Sequence, residues 1–351
     1  MKIAYVHTRC ERHDACSNAM RDEIGWLAGA GHEVRLFGLA CDFDELPFTR
    51  VQREADVAFH PFFQECDLAV FHFDGHDPLF NLLPVLPLRV RRIVVFHDLA
   101  SSARLAAAGQ AQVDRSRTQV SNIGFAHHVV CDNEGRLAFL RGVGITTPAS
   151  VLPPALRREL QAPATKPSFA NGVLRLLFMG PLTPSTQPLD FLHALEHLLQ
   201  REPGLHLQAD ILTHPAFSDA ATLDAVDRGI RELDRVFFPW LGLRLATGTS
   251  GQARTALLRD ADLFVVPGTG QEASRQALDA LACGCKTVAG DGAALDEAVR
   301  VAALAVGCSA WREGGYGMAA EAARRGLHHV SGPVVRERFL DFIHQQSASR
   351  S

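Results

Sequence analysis

The sequence predicts an α/β protein made of two doubly wound parallel-sheet domains in tandem. Runs of β-branched and aromatic residues alternate with helical patterns, as in βαβ units. A proline-rich stretch near the middle interrupts this alternation, after which it restarts. The chain has 351 residues, 47% hydrophobic and 21% charged. At ~100 to 200 residues per domain, that is enough for two sizeable cores.

In the first half the strand patterns fall at 3–7, 33–37, 68–73, 93–97 and 128–131. Between the first two, 17–29 places Ala19, Ile24, Leu27 and Ala28 on a helical stripe that stops at Gly29 and Gly31. Domain one is expected over 1–155, with Ser17 or Asn18 capping its first helix. Residues 156–170, rich in proline and without periodicity, are expected to link the halves. Domain two, 171–332, repeats the pattern: strands at 174–179, 205–212, 236–238, 263–266 and 287–289, and helices at 188–199, 221–233, 253–259 and 274–283. The stretch 333–346 carries Val335, Phe339, Phe342 and Ile343 on one stripe. It predicts a closing helix that packs back on the first domain.

Composition excludes several function classes. With 35 basic and 39 acidic residues the net charge is −4, so no bulk positive field attracts nucleic acid. No apolar run approaches the ~18 residues a membrane span needs, and the start lacks a signal-peptide core. Eight scattered cysteines without a CxxC pair fit thiols in a reducing compartment rather than a zinc framework. The expected location is cytoplasmic, with peripheral contact at the inner face of the membrane left open.

Several stretches then carry a resemblance. SNAMRDEIGWLAGAGHEVRLFG (17–38), VVFHDL (94–99), VVCDNEGRLAFLRGVG (129–144) with the following VLPP, FMGPL (178–182), DADLFVVPG (260–268) and LDALACGCKTVAGD (278–291) occur in order along the chain. Together they resemble the GT-B glycosyltransferases, in particular the large retaining family 4. That resemblance implies two Rossmann-like domains facing across a cleft. It also implies a nucleoside-diphosphate sugar as donor, held by the C-terminal half, and a glycan, lipid-linked or other glycoconjugate acceptor at the N-terminal half. No metal or other cofactor is implied.

Transfer requires stabilising the negative charge that grows on the departing diphosphate. In the family an Arg and a Lys in the loop after the first donor-domain strand contribute. Here the loop from Gly180 through Thr183 has Pro181 at the Arg position and Thr186 or Gln187 at the Lys position. The family's pair of glutamates falls on Gln271, or Glu272 by a one-residue slide, and on Asp279. Between them Ala273 and Ser274 are expected to open a helix whose amides receive phosphate oxygens. Arg275 is the expected replacement for the absent loop cations; a solvated surface arginine is the plain alternative.

His97 ends a predicted strand, where ligands of open α/β sheets gather, and the resemblance sets it near the reacting sugar. His72 and Asp74 share that rim on the acceptor side, as do His13, Asp14 and Asn18 of the first βα loop. The group His72, Asp74, His76 and Asp77 reads as a solvated turn rather than a metal cluster. Cys16 reads as a small buried side chain with no paired base. The expected activity is retaining glycosyl transfer in polysaccharide or glycoconjugate assembly. The alternative is an inactive glycosyltransferase-like subunit that binds a sugar nucleotide or a partner enzyme.

Overall fold

A computed structural model describes residues 1–12, 14–75, 77–86, 89–97, 110–156, 172–214, 218–247, 251–267, 273–290, 292–307 and 325–348. The chain divides into two compact units. One holds the described residues up to Ala155 together with the helix from Gly332; the other runs from Leu156 to Ser331.

The first unit is built on strands β1 (Lys2–Val6), β3 (Glu33–Gly38), β5 (Phe48–Arg50), β6 (Leu68–Phe73), β7 (Arg91–Phe96), β8 (His128–Cys131) and β9 (Ala149–Val151). All pair in parallel, in the order β5-β3-β1-β6-β7-β8-β9, while the two-residue strands β2 (Arg9–Cys10) and β4 (Ala40–Cys41) pair apart. Its helices are α1 (Ala15–Gly29), α2 (Glu54–Ala58), α3 (Pro61–Glu65), α4 (Gln110–Val120) and α5 (Glu134–Gly142). Every residue of β6 is buried, as expected of a central strand covered on both faces.

Register decides which residues meet. Tyr5 lies opposite Val70, and His72 opposite Val95. Side chains alternate with period two, so Tyr5, His7, Val70, His72, Val95 and His97 share one face. That face packs under α1 through Met20, Ile24 and Leu27. The opposite face, with Val6, Phe71, Phe73 and Phe96, forms a separate aromatic-rich core with Phe62, Phe63 and Phe80.

The second unit is a five-stranded parallel sheet in the order β12-β11-β10-β13-β14. Its strands are β10 (Val173–Met179), β11 (His206–Thr213), β12 (Leu241–Thr247), β13 (Leu263–Pro267) and β14 (Lys286–Gly290). Around them lie α6 (Pro188–Arg201), α7 (Ala220–Phe237), α8 (Gly251–Asp260), α9 (Ala273–Ala282) and α10 (Gly292–Gly307). Leu192, Leu195, Leu198 and Leu199 of α6 form the middle of one core with Leu295, Val299 and Val306 of α10.

The last helix, α11 (Gly332–Ala348), buries Val335, Phe339, Phe342 and Ile343. Phe339 lies 5.9 Å from Trp26 of α1, and Phe342 lies 5.0 Å from His128. Gln346 Oε1 accepts from Arg91 Nε and Nη2 at 3.0 and 2.7 Å. No helix is long and apolar enough to cross a membrane among the described residues.

Two expectations are corrected. The strand expected at 236–238 is the end of α7 and its cap; Val226, Ile230, Leu233 and Phe237 continue one helical stripe, and extended structure begins at Leu241. Helix α1 starts at Ala15, two residues early, because Asp14 rather than Ser17 or Asn18 is its N-cap.

Candidate functional site at the strand ends of the first unit

Three adjacent strands, β1, β6 and β7, carry His7, His72 and His97 at or just past their carboxyl ends, on the face that α1 covers. The N-terminal turn of α1 brings Cys16 there. Glu23, seven residues on, falls on the same buried stripe as Cys16, Met20 and Leu27. Gly38 at the end of β3 allows the first loop to pass: a Cβ there would lie 2.5 Å from the His7 carbonyl oxygen.

The hydrogen bonds form two linked chains. Tyr5 Oη donates to Glu23 Oε2 at 3.0 Å, and the same oxygen meets His72 Nε2 at 3.0 Å. The carboxylate accepts from Nε2–H, which in a neutral imidazole leaves the lone pair on His72 Nδ1. That Nδ1 lies 2.9 Å from His97 Nε2 and 3.7 Å from Cys16 Sγ. The His72 and His97 rings stack with centroids 5.1 Å apart. Burial, reinforced by the Glu23 charge, pushes the Tyr5 phenol well above its usual range, so it stays a donor.

In the second chain, His7 Nδ1 lies 3.2 Å from Asp77 Oδ2, both side chains being almost wholly buried. Burial pushes the imidazole pKa down, but the Asp77 hydrogen bond and the charges of Asp74, Asp77 and Asp14 outweigh it and raise His7 to about 9. Burial works against charge on Asp77, yet bonds from His7 and Thr8 hold its carboxyl below the usual range. Asp77 also accepts from the backbone N–H groups of Thr8 and Leu79 at 2.9 and 2.7 Å. Gln119 of α4 closes the loop, its amide donating to Asp77 O at 2.9 Å.

His72, Asp74 and Asp77 are therefore interior, at 1%, 7% and 3% exposure, which corrects the solvated-turn reading. Their loop follows a central strand, so it closes over the sheet end instead of projecting outward. Cys16 is buried, as expected, and the structure adds a neighbour that the sequence did not show: Sγ on the first turn of α1 lies 3.7 Å from His72 Nδ1 at the end of β6. Asp14 spends one oxygen on Ser17 N and Oγ at 2.7 and 2.6 Å, and Asn18 Nδ2 donates to the carbonyls of Arg12 and Asp14. His13 and His76 lie outside the described residues.

At the donor-side positions, Gly180 leaves β10 with φ 156°, an angle that L side chains rarely adopt. Thr183 is fully buried and caps the short turn Pro184–Thr186. Asp279 is also fully buried, with its carboxylate 3.8 Å from Arg254 Nη2. Ala273, Ser274 and Arg275 form the first turn of α9, as expected, but their side chains lie outside the described residues, as do Gln271 and Glu272.

Sequence reasoning missed Tyr5, His7 and Glu23. One signal for Glu23 was available: a carboxylate on the apolar stripe of α1.

Two doubly wound parallel sheets joined in one chain form the fold of the GT-B glycosyltransferases. No family model matches the chain, and no curated protein matches it. Among solved structures, the N-terminal domain of trehalose-6-phosphate phosphatase from Candida albicans superposes with TM-score 0.73 at 10% identity, over 98% of this chain and 97% of that one. WaaG, a glycosyltransferase involved in lipopolysaccharide biosynthesis, gives 0.68 at 14% identity, over 97% and 99%. The α,α-trehalose 6-phosphate synthase from Burkholderia multivorans gives 0.67 at 12% identity, over 100% of each chain. At such identities these are likenesses of fold.

Proposed function

We propose that this protein is a glycosyltransferase that moves a sugar from a nucleoside-diphosphate sugar to a glycan or glycoconjugate acceptor, with retention, in the cytoplasm. The observation that carries the reading is the buried histidine and carboxylate constellation at the carboxyl ends of β1, β6 and β7, where open α/β sheets bind ligands. The fold supports it, being shared over 97% of this chain with a protein named as a glycosyltransferase.

In this reading His97 lines the reacting centre and meets a sugar hydroxyl, while His72 and Asp74 shape the acceptor side. The donor diphosphate lies at the first turn of α9, where the amides around Ala273 and Ser274 and the Arg275 guanidinium offset the charge of the departing group. Gln271 or Glu272 holds donor hydroxyls. The chemistry as proposed draws on no cofactor beyond the donor itself; positioning and fixed dipoles supply the rate.

A second reading, an inactive glycosyltransferase-like subunit that binds a sugar nucleotide or a partner enzyme, is favoured by two observations: the loop from Gly180 to Pro188 carries no cation, and Asp279 is buried against Arg254. A panel of nucleotide sugars separates the two. Stabilisation of the fold by one of them reports binding by linkage, and slow nucleotide release reports transfer or hydrolysis. Binding with release supports the enzyme; binding without release under any acceptor supports the subunit; no binding to any of them rejects both the enzyme and a sugar-nucleotide-binding subunit.

A further inference from the structure

We propose that Cys16 Sγ, His72 Nδ1 and His97 Nε2 form a binding site for one divalent transition-metal ion of the zinc type. The three atoms lie within 4.8 Å of one another. The nitrogen pair is 2.9 Å apart, and Sγ is 3.7 Å from His72 Nδ1. A tetrahedral zinc ion with ordinary Zn–N and Zn–S bonds would set its ligand atoms about 3.3 Å (N to N) and about 3.6 Å (N to S) apart. Both distances at His72 are within a few tenths of an ångström of those values, and Cys16 Sγ and His97 Nε2 lie within 4.8 Å of each other.

The surroundings of His72 point the same way. Metal-bound imidazoles characteristically donate their far N–H to a carboxylate, which fixes the tautomer and aims the other nitrogen. Here Glu23 Oε2 accepts from Nε2–H at 3.0 Å and also from Tyr5 Oη. The Nδ1 lone pair is left facing Cys16 and His97. A second group adjoins the first through the shared sulfur: His7, Asp14, Cys16 and Asp74 also offer ligand atoms within 4.8 Å of one another. His7, 1% exposed, has an Nε2 without a hydrogen-bond partner among the described residues. One thiolate and two imidazoles suit a borderline-soft ion such as Zn²⁺ or Co²⁺ and not Mg²⁺ or Ca²⁺, which prefer all-oxygen shells.

The site lies wholly in the first unit and does not depend on the sugar-transfer reading. An ion there would tie the first turn of α1 to the ends of β6 and β7 and occupy His97 Nε2.

The test uses the full chain, stripped with a chelator and titrated with Zn²⁺ against a chromophoric competitor, then with Co²⁺ to read thiolate-to-metal charge-transfer absorption. One equivalent should bind, with the cobalt thiolate band present. Cys16→Ser and His97→Ala should each weaken binding at least about 100-fold, and Glu23→Gln, which disturbs only the orienting carboxylate, about 10-fold. Cys66→Ser, at a buried cysteine elsewhere, should leave binding unchanged. Circular dichroism checks that each variant folds; if one does not, the wild-type cobalt spectrum and Glu23→Gln still decide. Substoichiometric binding, a cobalt spectrum without the thiolate band, or affinity indifferent to Cys16→Ser would overturn the site. So would fast alkylation of Cys16 in a chain that binds no metal, which would mark a thiol–imidazole–carboxylate triad instead. None of these readouts involves a sugar nucleotide, so failure here and failure of the transfer reading are distinguishable.

Discussion

The carboxyl ends of the two sheets are built on the same topology yet hold their polar groups differently. In the first unit, strand-end side chains bond one another across three strands and one helix: Tyr5, Glu23, His72 and His97 form one chain, His7 and Asp77 the other. In the second unit the described polar groups near the strand ends, and Asp279 on α9, meet nearby backbone and side chains. Thr183 caps its own turn, Thr213 meets Ser218 at 3.0 Å, and Asp279 faces Arg254. A parallel sheet delivers side chains to a common rim in both units, but only where neighbouring strands end on titratable residues of the same face does that rim become a coupled network. The difference teaches that chemistry at such a rim is set by which face the last residue of each strand presents, and not by the fold.

The comparison can be broken most strongly at Glu23. Glu23→Ala leaves His72 Nε2 and Tyr5 Oη buried without their shared acceptor and should cost about 3 to 5 kcal/mol, read as a lower denaturant midpoint at unchanged m-value. If Glu23→Ala costs under about 1 kcal/mol, the network is not a structural unit.

The His7–Asp77 pair gives the next largest effect, in metal-free protein. The folded His7 pKa, about 9, lies above its ordinary 6.5. Its contribution is therefore complete below pH 6.5 and is lost as pH rises through 9. Asp77 is depressed below 3.8, so its contribution is present above that value and disappears as pH falls through its folded pKa. Stability from the pair should thus be greatest between about pH 4 and 6.5 and fall by up to about 3 kcal/mol towards pH 9. Asp77→Asn should flatten that slope in urea titrations run at each pH.

On the donor side, Arg275→Ala should weaken nucleoside-diphosphate binding about tenfold or more while changing nucleoside binding less than about twofold, because the guanidinium is proposed to meet only the phosphates. Equal effects in calorimetric titration would remove Arg275 from the donor site. The smallest effect is expected at Arg244, whose ion pair with Asp210 at 2.7 Å sits on a side chain 58% exposed. Arg244→Ala should cost less than about 1 kcal/mol in thermal unfolding, the usual value of a solvent-screened pair.

The alternation of strand and helix, the parallel sheets and the stripe of α11 were legible from composition and period, because burial of one face imposes those periods directly. His72, His97 and Asp74 were legible as rim residues for the same reason: position at a strand end follows from where an apolar run stops. Glu23 was not singled out because a carboxylate on an apolar stripe gives no sign of what it meets, and His7 passed as the first residue of a loop.

By itself, then, the amino-acid sequence determined two doubly wound units and the residues that end their strands, since hydrophobic period and chain length are local, additive properties. Only the tertiary structure decided that β1, β6 and β7 lie side by side, that His7, His72 and His97 share a face, and that α1 lowers Cys16 and Glu23 onto it. Those contacts join residues up to 81 positions apart, from Cys16 to His97. Strand order, register and the seating of one helix on a sheet arise from cooperative packing of the whole core, which no single window of sequence contains.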